Sequence, residues 1–270
     1  MKYLFSEMSA SDHAQWAALE AVAVDIDGTL TSGGRFSADV VSRLSDLRAH
    51  GLKVCLVTGR PSGWVQGLVS YLPVDAAIAE NGGVIFTGPE AVPLVRTPST
   101  GNYIELQSDE LRAPLRNMFS LLSAEFPDLR ITGDNIYRLS DFTFHSAGLP
   151  VTLLNQLKQR VEHQRLAFTW STIHAHIMPC GQEKGMALKW MLRQWGIAVQ
   201  PALTVLTLGD SPNDETMFRA EDFPFSAGVA NIVKYREVMK HYPKIISTRT
   251  ESEGFLEIAD TLLNVRRKSQ

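Results

Sequence analysis

The sequence predicts an α/β protein, a Rossmann-like parallel-sheet core interrupted by an inserted α+β domain. Short apolar runs alternate with stretches of helical period in both terminal parts of the chain, the pattern of βαβ units. In the middle the rhythm changes to two helical stretches set among β-like runs. The length of 270 residues also suits one large or two smaller domains, at a soft average of about 150 residues each. Residues 1–87 and 179–270 are therefore assigned to the core, and 88–178 to the insert.

Ala21–Ile26 (AVAVDI) reads as the first strand. Phe36–His50 follows with apolar positions at Val40, Val41, Leu44 and Leu47, a helical spacing that ends at the C-cap signal His50-Gly51. Lys53–Val57 is the next strand and Ser62–Leu72 the next helix, closed before Pro73. Ala76–Ala79 and Val84–Phe86 are short strands around the turn signal Asn81-Gly82-Gly83. Gly88–Gly101, broken by three prolines, reads as the crossover into the insert. There, helices near Ser108–Phe126 and Val151–Gln164 alternate with strands in Ile136–Phe144 and Ala167–Met178. The core resumes with a helix at Glu183–Trp195, the strand Thr204–Leu208 and a helix at Pro212–Ala220. A strand near Phe223–Ser226, a helix at Ile232–Lys240, a strand at Lys244–Ser247 and a helix at Glu253–Arg266 complete it.

The composition, 44% hydrophobic and 20% charged, is that of ordinary soluble proteins. Lys and Arg total 26 against 29 Asp and Glu, and the net charge of −3 argues against a nucleic-acid binder or a basic membrane-surface protein. Cys55 and Cys180 are too few for a disulfide framework or a Cys-rich zinc module, and read as reduced thiols. The N-terminus has no basic region followed by a sustained apolar run, and nowhere do about 18 apolar residues occur together. The expectation is a cytoplasmic protein with neither nucleic acid nor membrane as partner, acting as a monomer or small homo-oligomer.

In a parallel α/β sheet, ligands bind beyond the carboxyl ends of the strands. The first strand runs into Asp25-Ile26-Asp27-Gly28-Thr29-Leu30, the second into Thr58-Gly59-Arg60, and a later one into Gly209-Asp210-Ser211-Pro212-Asn213-Asp214. Carboxylates gathered at one edge are driven to protonate unless a cation shares the site. Oxygen donors without Cys or His favour Mg²⁺. Beside such a cation, Asp25 can attack phosphorus, and Asp27 can move protons to and from the leaving group and water. Thr58 offers a hydroxyl and Gly59 an unobstructed N–H to a phosphate oxygen, at the start of a helix whose dipole favours the anion. Lys184 stands at another helix start, positioned to pair with Asp25 and the phosphate. Ser211-Pro212-Asn213-Asp214 reads as an N-cap, a proline at the first position and an acid three residues on. That turn holds Asp210 beside the metal, with Asp214 either a ligand or a support.

The series DIDGTLT at 25–31, VTGR at 57–60, KG at 184–185 and GDSPND at 209–214 resembles the haloacid dehalogenase-like (HAD) hydrolases. The position of the insert, between the second and third motifs, resembles the Cof-type branch with its α+β cap, as in sucrose-phosphate and mannosyl-3-phosphoglycerate phosphatases. The resemblance implies an Mg²⁺-dependent phosphatase working through an aspartyl-phosphate, its substrate a small phosphorylated metabolite such as a sugar or polyol phosphate. It implies Asp25 as nucleophile and metal ligand, and Asp27 as acid/base with its backbone carbonyl on Mg²⁺. Thr58, Gly59, Lys184 and Asn213 then face the phosphate, and Asp210 and Asp214 the metal. A phosphomutase of the phosphomannomutase type and a non-catalytic sugar-phosphate sensor are the rivals. The TGR motif, in place of a glycine-rich one, favours hydrolysis over the mutase.

Several residues also have plainer readings. Asp214 is accounted for as a helix-capping acid. Arg60 is either a substrate contact, a surface residue or a core-to-cap ion pair. Asn81 fits a tight turn. His174 and His176 share a strand face and, without a third ligand, read as a polar sheet surface. Arg138 and Asn135 lie near a cap turn and are candidates for specificity. The five tryptophans read as packing residues.

Overall fold

The computed structural model describes residues 2–3, 10–105, 109–171 and 173–269. Among them the large sheet takes strands from both ends of the chain. These are β1 (Lys2–Tyr3), β2 (Ala21–Val24), β3 (Lys53–Val57), β4 (Ala76–Ala79), β5 (Val84–Phe86), β6 (Leu94–Arg96) and β7 (Tyr103–Glu105). The smaller sheet holds β8 (Phe142–His145), β9 (Leu166–Trp170) and β10 (His174–Pro179). β11 (Val205–Gly209), β12 (Phe225–Gly228) and β13 (Ile245–Ile246) return to the large one. Its order is β1-β13-β12-β11-β2-β3-β4-β5-β6-β7, parallel as far as β4 and antiparallel beyond.

β2 is central because its sequence, AVAV, buries both faces, as a covered parallel strand requires. Val22 and Val24 pack with Trp16 of α1 (Ala10–Ala17) and with α2 (Ala38–Ala49), α3 (Ser62–Tyr71) and α7 (Glu251–Ser269). Ala21 and Ala23 face Ala187, Leu188, Met191 and Leu192 of α6 (Lys184–Gln194) on the other side. The period of two along the strand thus sorts side chains into two helical layers. Ser37 starts α2 by accepting the Val40 N–H at 3.3 Å, and Gly51 ends it with φ 81°, as the sequence signals imply.

The insert is a three-stranded antiparallel sheet, β8-β10-β9, backed by α4 (Ala113–Glu125) and α5 (Val151–His163). Phe142, Phe144, Phe168, Ala175 and Ile177 form its apolar face against Leu115, Phe119, Leu122, Leu157 and Val161 of these helices. The alternate residues, Thr143, His174 and His176 among them, are left on the opposite face.

Some boundaries differ from the expectation. The sequence reading assigns 88–178 to the insert, yet β6 and β7, which fall in that range, are hydrogen-bonded to the core sheet. They are three-residue meander strands after a proline-rich stretch, too short for alternation to show. The strand expected in Ile136–Phe144 begins only at Phe142, because Gly133–Tyr137 forms a 3₁₀ turn. There the Asn135 side chain donates to the Thr132 and Thr143 carbonyls, a local pairing that competes with extended backbone. The helices expected at Pro212–Ala220 and Ile232–Lys240 are 3₁₀ segments, Pro212–Met217 and Ala230–Tyr235. The start expected for α4, Ser108, lies outside the described residues. Trp64 is 46% exposed, unlike the buried Trp16, and carries the Arg60 guanidinium over its ring at 5.2 Å. No helix among the described residues is long and apolar enough to cross a membrane.

Core and insert meet at Glu80, which is fully buried. Its carboxyl accepts from Ser62 N (2.9 Å) at the start of α3, and from Leu139 N (3.0 Å), Ser140 N (2.6 Å) and Ser140 Oγ (2.7 Å) of the insert. Glu80 and Asn81 both adopt positive φ, 51° and 53°. The turn expected at Asn81-Gly82-Gly83 thus begins one residue earlier, where the glutamate can turn inward.

Candidate active site

The loops after β2 and β11 and the start of α6 bring four charged groups together below the protein surface. Lys184 Nζ donates to Asp25 Oδ1 and to Asp214 Oδ1, each at 2.6 Å. Asp214 Oδ2 in turn accepts the backbone N–H of Asp210 (2.8 Å) and of Ser211 (3.1 Å). The acid therefore caps the 3₁₀ segment and also balances the lysine. Asp210 Oδ2 accepts from Asn231 Nδ2 (2.7 Å), which donates as well to the Gly28 carbonyl at 3.1 Å. Gly28 has φ 78°, and a Cβ there would stand 2.6 Å from Asp210 Oδ2, so the first motif needs its glycine for conformation and for room. Asn231 has no signal in the sequence, since it lies in a short 3₁₀ segment far along the chain.

Burial drives the electrostatics. It pushes the Asp25 carboxyl well above the usual carboxylate range; Lys184 opposes this, while Asp214, Asp210 and Asp27 add to it. Asp210 is pushed up to about 8 by burial and then by Asp214. Burial acts against the Lys184 ammonium too, but Asp214 and Asp25 outweigh it and raise its pKa. The group is thus short of positive charge. Oxygens of Asp25, Asp210 and Asp214 lie within 4.8 Å of one another, and Asp210 Oδ1 is buried with no hydrogen-bond partner. A hard divalent cation fits this set, which is all oxygen and has one acceptor unused.

The other expected site residues lie around this cluster. The Thr58 N–H bonds the Ile78 carbonyl (2.8 Å), and Thr58 Oγ1 accepts from Arg60 N at 3.1 Å. Asn213 Nδ2 donates to Asn81 Oδ1 at 3.2 Å, and Asn81 N to the Thr58 carbonyl at 3.0 Å, linking the second and fourth motifs through the Asn81 turn. A Cβ on Gly59 would lie 3.1 Å from Asn81 Oδ1 and 3.2 Å from His176 Cε1. Asp27 stands apart from the carboxylate cluster. Arg60 grips its side chain with Nε at 2.6 Å and Nη2 at 2.5 Å, a bidentate pair within the core. Arg60, expected as a substrate contact, a surface residue or a core-to-cap ion pair, is in this structure a partner of Asp27.

On the insert, Arg138 is fully buried and binds Asp141, Asp134 and the Gly59 carbonyl (3.0 Å). His174 and His176 are buried as well, where the sequence suggested a polar sheet surface. Burial lowers His174 to about 4; His176, Arg138 and Arg60 act in the same sense and Asp134 against it. Alternation on β10 indicated their shared face, but not that the core would cover it.

This fold and this strand-end cluster define a phosphoryl-transfer hydrolase of the HAD type. A family model for sucrose-6F-phosphate phosphohydrolase matches residues 19–258, and the chain belongs to that family, a Cof-type branch of the HAD hydrolases and an enzyme acting on phosphoric monoesters. A phosphoglycolate phosphatase of Methanothrix thermoacetophila is 29% identical over 245 residues, spanning 90% of this chain and 96% of its own. Phosphoglycolate phosphatase 1 of Saccharolobus solfataricus is 27% identical over 252 residues, spanning 91% and 96%. Among solved structures, a Thermoplasma acidophilum protein superposes with a TM-score of 0.70 at 20% identity, over 90% of this chain and 98% of its own. The sucrose-phosphatase of Synechocystis sp. PCC6803, solved with sucrose and phosphate, superposes with a TM-score of 0.65 at 15% identity, over 90% and 97%.

Lys184→Met leaves two buried carboxylates without their counter-charge. It is expected to lower the unfolding free energy by about 3–5 kcal/mol in urea titrations, the usual effect of removing one partner of a buried pair. His174 generates a pH dependence. Unfolded, it binds a proton below about 6.5, whereas folded it stays neutral down to about 4. Its stabilisation is present above 6.5 and lost as pH falls through 4. Unfolding midpoints measured across this range should fall with pH, and less steeply in His174→Gln.

Proposed function

We propose that the protein is an Mg²⁺-dependent phosphatase that hydrolyses a small phosphorylated metabolite, a sugar or polyol phosphate, through an aspartyl-phosphate. The observation that carries this reading is the convergence of Asp25, Asp210, Asp214 and Lys184 in one buried cluster beneath the insert. Asp25, Asp210 and the backbone carbonyl of Asp27 would hold the metal, with Asp214 as a ligand or as the anchor of that turn. Bound there, Mg²⁺ would neutralise charge on the phosphoryl oxygens.

Asp25 attacks phosphorus, and the P–O bond to the leaving group breaks as the Asp25–phosphorus bond forms. Asp27, released from Arg60 and protonated, gives its proton to the leaving oxygen; the resulting carboxylate then takes one from the water that cleaves the aspartyl-phosphate. Thr58, Gly59, Lys184 and Asn213 bind phosphoryl oxygens through a hydroxyl, an N–H, an ammonium and an amide. The insert is the cap: residues 88–178 in the sequence reading, with the sheet pairing of β6 and β7 moving the boundary past Glu105. Its cover over the site excludes water. A cavity of about 210 Å³ lined by Asn81, Thr169, Met178, Lys184 and Asn213 lies at this junction.

Phosphoglycolate is the second reading. It is favoured by the names of relatives that match most of the chain. A panel of phosphorylated metabolites assayed for phosphate release with and without Mg²⁺ separates the two, and absence of metal-dependent release from every member would contradict both.

Asp25→Asn is expected to remove turnover while preserving the fold, checked by circular dichroism and phosphate release. Asp27→Asn should slow cleavage of an alkyl phosphate by about 10²–10⁴-fold and that of p-nitrophenyl phosphate much less, because only the alkoxide needs the proton. Equal losses on the two substrates would remove the acid role from Asp27.

A further inference from the structure

Asn81 fits a turn by its sequence, yet its side chain carries a buried donor that the fold does not use. A chain of hydrogen bonds from the fourth motif turns its amide. Ser211 Oγ donates to Asn213 Oδ1 at 2.6 Å, which directs the Asn213 NH₂ group toward Asn81. Asn213 Nδ2 then donates to Asn81 Oδ1 at 3.2 Å. The oxygen end of the Asn81 amide is thereby taken and the nitrogen end is left over. Asn81 Nδ2 is buried without a hydrogen-bond partner.

The turn that carries this amide is pinned on every side. Asn81 N donates to the Thr58 carbonyl and Glu80 N to the Arg60 carbonyl, each at 3.0 Å. A Cβ on Gly82 would collide with the Glu183 carbonyl, so the turn abuts the start of α6, one residue before Lys184. A Cβ on Gly59 would lie 3.1 and 3.2 Å from the oxygen and the nitrogen of the Asn81 amide, which therefore rests against the second motif. Asn81, Lys184 and Asn213 are also common walls of the cavity of about 210 Å³. The spare N–H thus stands among the groups that the hydrolytic reading assigns to the phosphoryl oxygens. It needs an acceptor, because leaving a buried donor unpaired costs stability. A phosphoryl oxygen is an acceptor and is charged, which makes the bond to it a strong one. A metal cation or an ammonium group offers no lone pair.

We propose that Asn81 is a further phosphate-binding residue, its Nδ2 donating to a non-bridging oxygen of the phosphoryl group beside Lys184. Asn213 is the positioning residue that presents this amide, and it keeps a second N–H of its own for the phosphoryl group. The inference rests on the hydrolytic reading above and adds to it a residue outside the four motifs.

The test is titration calorimetry of inorganic phosphate in the presence of Mg²⁺, with kcat/KM for p-nitrophenyl phosphate and propyl phosphate as the second readout. Asn81→Gly removes the amide at a left-handed backbone position, φ 53°, that glycine adopts freely. Asn81→Asp keeps the oxygen that Asn213 uses and replaces the donor with an acceptor. Asn81→Gly is expected to weaken phosphate binding by about ten- to hundredfold, the usual worth of a hydrogen bond to a charged group. It should lower kcat/KM by a similar factor on both esters, since the contact is to the phosphoryl group and not to the leaving group. Asn81→Asp should lose more. Mg²⁺ affinity in Asn81→Gly should stay within about twofold, a result that a merely structural role would not give. Phosphate affinity within about twofold of the wild type in Asn81→Gly overturns the inference. So does a loss confined to one ester, or an equal loss of Mg²⁺ affinity, and in each case the phosphatase reading stands. A wild type that neither binds inorganic phosphate nor releases it from any ester removes that reading and the inference with it.

Discussion

A lysine ammonium buried between two carboxylates is the interaction on which the rest of this structure depends. Lys184 is contributed by a helix that follows the insert, Asp25 by the loop after the central strand, and Asp214 by the turn after β11. None of the three is tolerable alone at that depth, because an unpaired charge in a dry interior costs several kcal/mol. Held together they fix the relative positions of three chain segments. Asp214 extends the fixation by accepting two backbone N–H groups of its own turn, which aims Asp210 at the same point. The remaining excess of negative charge is what a divalent cation at this cluster would offset.

The sheet supplies the frame for this convergence. Parallel strands with both faces covered place their carboxyl ends along one edge, so loops far apart in sequence become neighbours without any special contact between them. What is particular to this chain is the way the insert is tied to that edge. Glu80, inverted in a left-handed turn, binds residues 139–140 with its carboxyl, while Asn81 beside it touches Asn213 and the Thr58 carbonyl. Arg138 adds a bond to the Gly59 carbonyl from the opposite side. Displacement of the insert would therefore be felt by Thr58, Gly59 and Asn213, a mechanical link carried by hydrogen bonds across two adjacent residues.

Much of the core was legible in the sequence, for a physical reason. Acidic and small residues placed directly after apolar runs are local patterns, and DIDGTLT and GDSPND each hold their chemistry within a few positions. The pairing of Lys184 with Asp25 follows once the parallel sheet is accepted. Partners chosen across long separations were not legible. Asn231 reaches Asp210 from a segment with no motif, and β6 and β7 join the sheet by edge pairing with little hydrophobic signature. For Arg60 the sequence leaves a substrate contact, a surface residue and a core-to-cap ion pair open, since nothing local distinguishes these from a fork on Asp27. The polar sheet face expected for the histidines of β10 is buried, because a sequence shows which face a residue takes and not what covers it. The two 3₁₀ segments stand where the sequence predicts longer helices, as short apolar spacing does not separate the two helix types over one or two turns.

The central claim is that the buried acids are arranged for a divalent cation, and direct binding measurements test it without reference to any substrate. Titration calorimetry of Mg²⁺ into the wild type, together with thermal unfolding at increasing Mg²⁺, should give one saturable site and a rising midpoint. Asp210→Asn, which keeps the size of the side chain, should abolish both effects. Mg²⁺ binding and stabilisation that persist unchanged in Asp210→Asn would contradict the account.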